Sequence, residues 1–189
     1  NAYAPMRQDS SFLYYFGQHR DGLVGVIDID NNEEMIFGDD IDVEDIVWMG
    51  FTPSVADLAA AVGVKKTAPM KELATYIHHL SPNTKYHFLP PYRFDTKIQI
   101  MDLLGIHPNQ QKEQASLQLI KAVVKMRATK EPQEIAAIDR ACNIGYEMHT
   151  TAQRLIKPGV TERYIGGQVD GVARSLAQGT SFATIFSQH

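Results

Sequence analysis

Side chains able to bind a cation alternate along one segment near the amino end of the chain. They are Asp28, Asp30, Asn32 and Glu34, a spacing similar to that of a helix–loop–helix calcium site. Such a loop needs glycine at its sixth position, where this chain has Glu33, and it needs flanking helices. The flanks here have the composition of strands, so we interpret the segment as the solvated tip of a β-hairpin.

The seven histidines do not fall at metal-ligand spacings. His78 and His79 are neighbours on a predicted helix, so their side chains point about 100° apart and cannot share one ion. No H-E-x-x-H motif and no paired Cys/His spacing occurs. The sequence therefore predicts no complete metal site within these residues.

Nucleophilic and phosphate chemistry also lack their usual motifs. The sequence has neither G-x-S-x-G nor a glycine-rich phosphate loop. Gly166, Gly167 and Gly171 lie inside a predicted helix, where close helix packing explains them better than ligand contact. The single cysteine, Cys142, lies on an apolar helix face and is predicted to be a small core residue.

Composition excludes several partner classes. The 189 residues carry a net charge of −4 and are 44% hydrophobic, which is ample for a packed core. This mildly acidic balance, without a basic patch interleaved with aromatics, argues against a nucleic-acid partner. No apolar run approaches membrane-spanning length and no signal-like start is visible, so we expect a cytoplasmic protein without a membrane partner.

Strand patterns that alternate with helical patterns predict an α/β fold. Aromatic and β-branched runs predict strands at residues 12–16, 23–27, 34–37, 85–89 and 181–186, with a hairpin over residues 22–37. Helical periodicity covers residues 53–62, 70–80, 93–104, 115–126 and 132–155, an acidic helix precedes Trp48, and Thr161 caps a last helix that reaches Leu176.

A polar, unpatterned stretch at residues 107–112 marks the predicted domain boundary. We place the first domain at residues 1–111 and the second at residues 112–189, and the helix over residues 115–126 links them. No internal repeat and no low-complexity tract is present.

Two separated motifs resemble one enzyme family. Arg127, Lys130, Glu134-Ile135 and Ala141, followed by the Lys-Pro-Gly-Val-Thr-Glu run at residues 157–162, resemble the opening of the pita-bread metallopeptidases. These enzymes include aminopeptidase P, prolidase, creatinase and methionine aminopeptidase. Residues 6–17, followed by the Ile-Val-Trp-Met-Gly run at residues 46–50, resemble the N-terminal domain of aminopeptidase P.

The resemblance implies a mixed sheet flanked by helices, without the first strand and helix of the creatinase/aminopeptidase P-like domain. The first helices and one strand of a pita-bread α+β domain follow. The parent enzyme is then expected to cleave between an N-terminal residue and proline, using two divalent ions, usually manganese, held by two Asp, one His and two Glu. None of these ligands can be located here, so no catalytic or metal residue is assigned, and this fragment alone is expected to be inactive and metal-free.

The resemblance also suggests two substrate-adjacent residues and a homodimer or higher homo-oligomer. In aminopeptidase P the tryptophan corresponding to Trp48 sits on a lip that reaches toward a neighbouring subunit's active site, and a core anchor is the alternative for Trp48. Phe182 falls on the family's first catalytic strand beside the metal cleft, and a core strand residue is the favoured alternative.

Three other functions stay open. A prolidase would share the fold and metal site but accept only dipeptides, and it would need a group that anchors the substrate's C-terminal carboxylate. A non-catalytic binding module would keep the fold with its metal ligands replaced, as in the pita-bread domain of a histone-chaperone subunit. Creatinase-like hydrolysis of a C–N bond in a small molecule is the weakest alternative.

Overall fold

The computed structural model describes residues 6–81 and 83–187. Contacts divide the chain into two compact units, Asn1–Val124 and Lys125–His189, and each is described by itself. This division falls within the helix that was expected to link two domains. The domain boundary after residue 111 stays a prediction.

A three-stranded mixed sheet organises the first unit. Strands β1, Val24–Asp28, and β2, Glu33–Phe37, form an antiparallel hairpin, and β3, Lys66–Ala68, pairs with β2 in parallel. The hairpin is confirmed, and Asn32 adopts the left-handed backbone at its turn, with φ 51°. Strand β3 was not predicted, because three residues are too short to carry a period-two pattern.

The described part of the first unit also contains six helices and one 3-10 turn, and a seventh helix extends across the division into the second unit. They are α1 Ser10–Phe16, α2 Val43–Met49, α3 Val55–Ala61, α4 Leu73–His79, α5 Phe94–Leu104, α6 Pro108–Gln114, α7 Leu117–Ala128 and the turn Met70–Glu72. Helix α5 ends at Gly105, whose φ of 68° suits a residue without Cβ. The predicted helices over residues 53–62, 70–80, 93–104 and 115–126 are therefore confirmed with small shifts of their ends.

The prediction of a strand at residues 12–16 is wrong. The carboxylate of Asp9 accepts from the backbone N–H groups of Ser11 and Phe12, each at 2.9 Å, and so starts helix α1. Gly17 closes the helix in the left-handed conformation. These two end signals outweigh the strand preference of the aromatic residues between them.

Two further predictions in the first unit are corrected. Residues 85–89 do not form a strand, since within the described chain no strand lies beside them; instead Tyr86 donates its hydroxyl to the carbonyl of Ile77 at 2.9 Å. The stretch at residues 107–112 is not irregular, because Pro108 opens helix α6 and the ring of His107 accepts from the N–H of Asn109.

The hydrophobic core lies on both faces of β2. Ile36 and Phe37 are neighbours on this strand, 0% and 1% exposed, and their side chains point to opposite faces. One cluster comprises Phe16, Ile36, Val55, Ala59 and Val64, and the other comprises Phe37, Leu73 and Ile77. Each large buried side chain contributes about 1.5–3 kcal/mol, so β2 is the element on which the first unit depends most.

The second unit is built on two packed helices, α8 Pro132–Leu155 and α9 Glu162–Leu176, as predicted. Thr161 caps α9 by accepting from the N–H of Tyr164 at 3.3 Å. The strand predicted at residues 181–186 does not form, because no described strand is available to pair with it. No helix in the described residues has the length and apolarity needed to cross a bilayer.

Two predictions about small residues of the second unit are corrected. Cys142 is exposed rather than buried, so it is not a core residue of the described structure. Close packing explains at most Gly166, where an added Cβ would lie 3.9 Å from Thr184, whereas Gly167 and Gly171 have nothing within 4 Å. These two glycines therefore weaken the helix without a packing reason among the described residues.

Candidate functional site

Helix α2 stands away from the core and carries Trp48. Every side chain described on this helix is exposed, and Trp48 is 88% exposed. Phe51, just after the helix, is 85% exposed, although large aromatic residues are normally at least half covered. The alternative that Trp48 anchors the core is therefore wrong. We call residues 40–54 the α2 protrusion.

Local hydrogen bonds hold α2 in its helical form. Asp42 caps it by accepting from the N–H of Asp45 at 2.9 Å, and two acidic residues lie in its first turn, where the helix end is positive. The N–H of Gly50 closes the last turn on the carbonyl of Ile46 at 2.9 Å. A seven-residue helix without buried side chains is marginal in water, so these caps and the base of the protrusion must stabilise it.

The base of the protrusion is a network of hydrogen bonds. Arg20 donates Nη2 to the carbonyl of Asp39 at 2.5 Å and Nη1 to the carbonyl of Pro53 at 3.3 Å. The carboxylate of Asp40 accepts from the N–H of Val55 at 2.7 Å. We call the segments at the two ends of the protrusion, residues 39–40 and 53–55, its stems. These hydrogen bonds join the stems to each other and, through Arg20, to the rest of the first unit.

The surface of the protrusion is apolar and acidic. Its exposed apolar residues are Val43, Ile46, Val47, Trp48 and Phe51, and its acidic residues are Asp40, Asp42, Glu44 and Asp45. No lysine, arginine or histidine occurs in residues 38–64. A surface of this kind can pack against an apolar group and attract a positive charge.

The second candidate residue, Phe182, lies in the segment after α9. Phe182 is 72% exposed and Ile185 is 85% exposed, so the favoured alternative of a core strand residue is wrong. Thr184 donates its hydroxyl to the carboxylate of Asp170 and thereby ties the segment to α9. Trp48 and Phe182 belong to different units, and contact of either with a substrate stays a prediction.

The acidic hairpin tip and the two adjacent histidines make structural contacts rather than a metal site. Within the described residues no group of three or more His, Cys, Asp or Glu side chains is placed to hold an ion. Asp28 accepts from the backbone and side chain of Asn31 at 3.0 and 2.8 Å, which confirms the hairpin-tip interpretation and lowers the pKa of Asp28. His78 and His79 contact the carbonyls of Leu103 and Thr75 respectively, so they turn to different partners.

Shifted pKa values follow structural contacts rather than catalytic ones. The hydroxyl and N–H of Ser54 lower the pKa of Asp57, which forms a capping box at the start of α3. Partial burial raises the pKa of Tyr76, and burial together with a hydrogen bond to Asp9 raises that of Tyr92. None of these groups adjoins a candidate nucleophile, so the titration pattern identifies no acid–base site.

A groove of about 700 Å³ between α4 and α5 is open to solvent. Its polar lining groups include His78 and Tyr86, and both are engaged with backbone carbonyls. These two groups are therefore already used in holding the fold together. The α2 protrusion is the stronger candidate site, and sequence reasoning missed two of its parts, Phe51 and the Arg20 contacts.

Comparison with known proteins finds similarity to aminopeptidase P in a family model, in curated sequences and in solved structures. Residues 1–88 match the family model described as "Aminopeptidase P, N-terminal domain". The chain is 25% identical over 174 residues to the Xaa-Pro aminopeptidase of Escherichia coli K12, covering 87% of this chain and 40% of that protein. It is 25% identical over 185 residues to a probable Xaa-Pro aminopeptidase of Sordaria macrospora, covering 96% and 31% respectively. The chain thus spans less than half the length of these curated relatives.

Solved structures agree on the fold. Zinc-substituted Escherichia coli aminopeptidase P in complex with product superposes with a TM-score of 0.73 at 21% identity, over 91% of this chain and 41% of that one. Pseudomonas aeruginosa aminopeptidase PepP superposes with a TM-score of 0.72 at 16% identity, over 92% and 41%. The expected mixed sheet flanked by helices is therefore confirmed.

Proposed function

We propose that the chain is the amino-terminal part of a metal-dependent Xaa-Pro aminopeptidase, since its residues 1–88 match the family model of the aminopeptidase P N-terminal domain. Such an enzyme hydrolyses the bond between an N-terminal residue and a following proline, and a cytoplasmic location belongs to the proposal. The observation that carries it is the alignment of Xaa-Pro aminopeptidases with 87% and 96% of this chain, well beyond the first domain. The substrate is then a peptide whose second residue is proline, which forms a tertiary amide without N–H.

The chain's own contribution in this proposal is to shape the approach to the cleft. Trp48 covers the apolar side of the proline ring from a neighbouring copy, and Phe182 lines the substrate pocket of its own copy. The exposure of both rings supports this role, because an apolar ring that is free in one copy is available to another molecule. The assembly is accordingly a homodimer or a higher homo-oligomer.

The family implies two divalent ions, usually manganese, which supply a hydroxide nucleophile when bound. The described residues do not fit such a pair, because they contain no cluster of three or more potential ligands. No catalytic step is therefore assigned to them. The proposal includes the expectation that this chain alone neither binds the ion pair nor cleaves peptides.

Peptide hydrolysis by the longer polypeptide that contains this sequence tests the proposal. With manganese present, we expect release of alanine from Ala-Pro-Ala and much slower release from Ala-Ala-Ala. Cleavage of the dipeptide Ala-Pro alone would indicate a prolidase instead. No turnover of any of the three peptides, with the protein folded and manganese added, would favour a non-catalytic binding module. The 189-residue chain serves as the matched control without activity.

A further inference from the structure

We propose that Arg20 is a positioning residue that sets the orientation of Trp48 by clamping the two stems of the α2 protrusion. Asp39 immediately precedes the protrusion and Pro53 lies at its end, and one guanidinium donates to the carbonyls of both. A guanidinium is planar and carries its donors in a fixed fork, so it fixes the separation of the two carbonyls. The role of Trp48 as a lip rests on the proposed function, whereas the clamp itself does not.

The clamp is anchored in the body of the first unit. Gln8 donates Nε2 to the carbonyl of Arg20 at 2.6 Å, and its Oε1 accepts from the N–H of Asp9 at 2.8 Å. Asp9 in turn caps helix α1, which packs Phe16 into the core. The position of the Arg20 backbone is therefore set by a chain of contacts that leads to the hydrophobic core.

Two acidic side chains reinforce the same base. Asp40 accepts from the N–H of Val55 at 2.7 Å in a partly buried contact, and Asp39 accepts from the N–H of Met70 at 2.9 Å. Asp40 and Val55 bracket α2 just as Asp39 and Pro53 do. Both acceptors are side-chain oxygens, so an asparagine at either position can still accept the hydrogen bond.

Beyond this base, the described side chains of α2 offer no buried contact that could fix the helix. The orientation of α2 relative to the rest of the first unit therefore depends on the stems. Loss of the Arg20 hydrogen bonds then lets the helix move as a rigid body. Since Trp48 is the only tryptophan of the chain, its fluorescence reports the motion of α2 without interference from another indole.

The test is the anisotropy decay of Trp48 in the 189-residue chain, well below the unfolding transition. We expect Arg20→Ala to raise the fast-depolarised fraction about twofold, the change from a rigid to a flexible segment. Arg163→Ala removes an exposed arginine from α9 and should leave the decay unchanged. Asp40→Ala should raise the fast fraction, whereas Asp40→Asn should restore the native decay.

An unchanged decay in folded Arg20→Ala would overturn the clamp, and an equal effect of Asp40→Asn and Asp40→Ala would refute the support that Asp40 gives to the same base. If Arg20→Ala did not fold, Arg20→Lys would replace it, because a lysine ammonium lacks the planar fork that spans both carbonyls, and an unchanged decay in that variant would overturn the clamp as well. Peptide kinetics of the longer polypeptide separate the clamp from the proposed function. A faster decay together with an unchanged KM supports the clamp and refutes the lip role, whereas a raised KM in Arg20→Ala supports both.

Discussion

Replacing Trp48 by alanine is expected to have little effect on stability, although tryptophan is usually among the costliest residues to remove. Truncating a buried aromatic residue to alanine costs about 3–5 kcal/mol. Trp48 is 88% exposed, so only about an eighth of a side chain that can bury up to about 250 Å² is covered, roughly 30 Å². At about 25 cal/mol per Å², the expected loss is about 0.7 kcal/mol.

Urea unfolding of the chain, followed by far-ultraviolet circular dichroism, measures this loss. Phe37→Ala is the matched control, because Phe37 is 1% exposed and packs against Leu73 and Ile77 on β2. We expect the control to lose about 3–5 kcal/mol or to fail to fold. A loss above about 2 kcal/mol in Trp48→Ala would mean that the indole is packed, and the interpretation of α2 as a free surface would be wrong.

Three further experiments with substituted chains test the fold. Gln111 is fully buried and donates Nε2 to two carbonyls at 2.8 Å, so Gln111→Ala should lower the free energy of unfolding by about 1–3 kcal/mol. Gln114 is exposed on the same helix, and Gln114→Ala should leave the free energy of unfolding unchanged. Equal urea midpoints of the two variants would contradict this prediction. Hydrogen bonds lower the pKa of Asp57, so its contribution to stability is present at neutral pH and is lost as pH falls through the pKa of the folded state. The urea midpoint should therefore fall less between about pH 7 and about pH 3 in Asp57→Asn than in the unsubstituted chain. An identical fall in both proteins would count against the capping box. Gly25→Ala would place a Cβ against the ring of Phe16 and should destabilise the chain, whereas Gly167→Ala in helix α9 should stabilise it by up to about 1 kcal/mol. Thermal midpoints that move in the same direction would refute the packing described for these positions.

The elements that the sequence predicted correctly have strong local end signals. Asn31-Asn32 marks the turn of the hairpin, and Pro132 and Thr161 mark the starts of α8 and α9. Helix α1 was mistaken for a strand because its aromatic run has strand composition. Its signal was nonetheless present, since Asp9 and Gly17 bracket the run as cap residues.

The strands wrongly predicted at residues 85–89 and 181–186 show why composition is not sufficient. A strand requires a neighbour that accepts and donates its hydrogen bonds, and within the described chain neither segment has one. The burial of Trp48 could not be predicted from its residue type either, because tryptophan is found both in hydrophobic cores and on binding surfaces. The contacts of Arg20 are tertiary and leave no pattern in the sequence.

The most direct test of the account is the KM of Xaa-Pro peptide cleavage by the longer polypeptide with Trp48→Ala. If Trp48 contacts proline as proposed, its loss should raise KM about tenfold, which corresponds to about 1.4 kcal/mol. Ile29→Ala is the matched control, since Ile29 is 80% exposed at the hairpin tip, outside the α2 protrusion, and should leave KM unchanged. Native KM in Trp48→Ala, with the native oligomeric state, would contradict the claim that the α2 protrusion contacts the substrate.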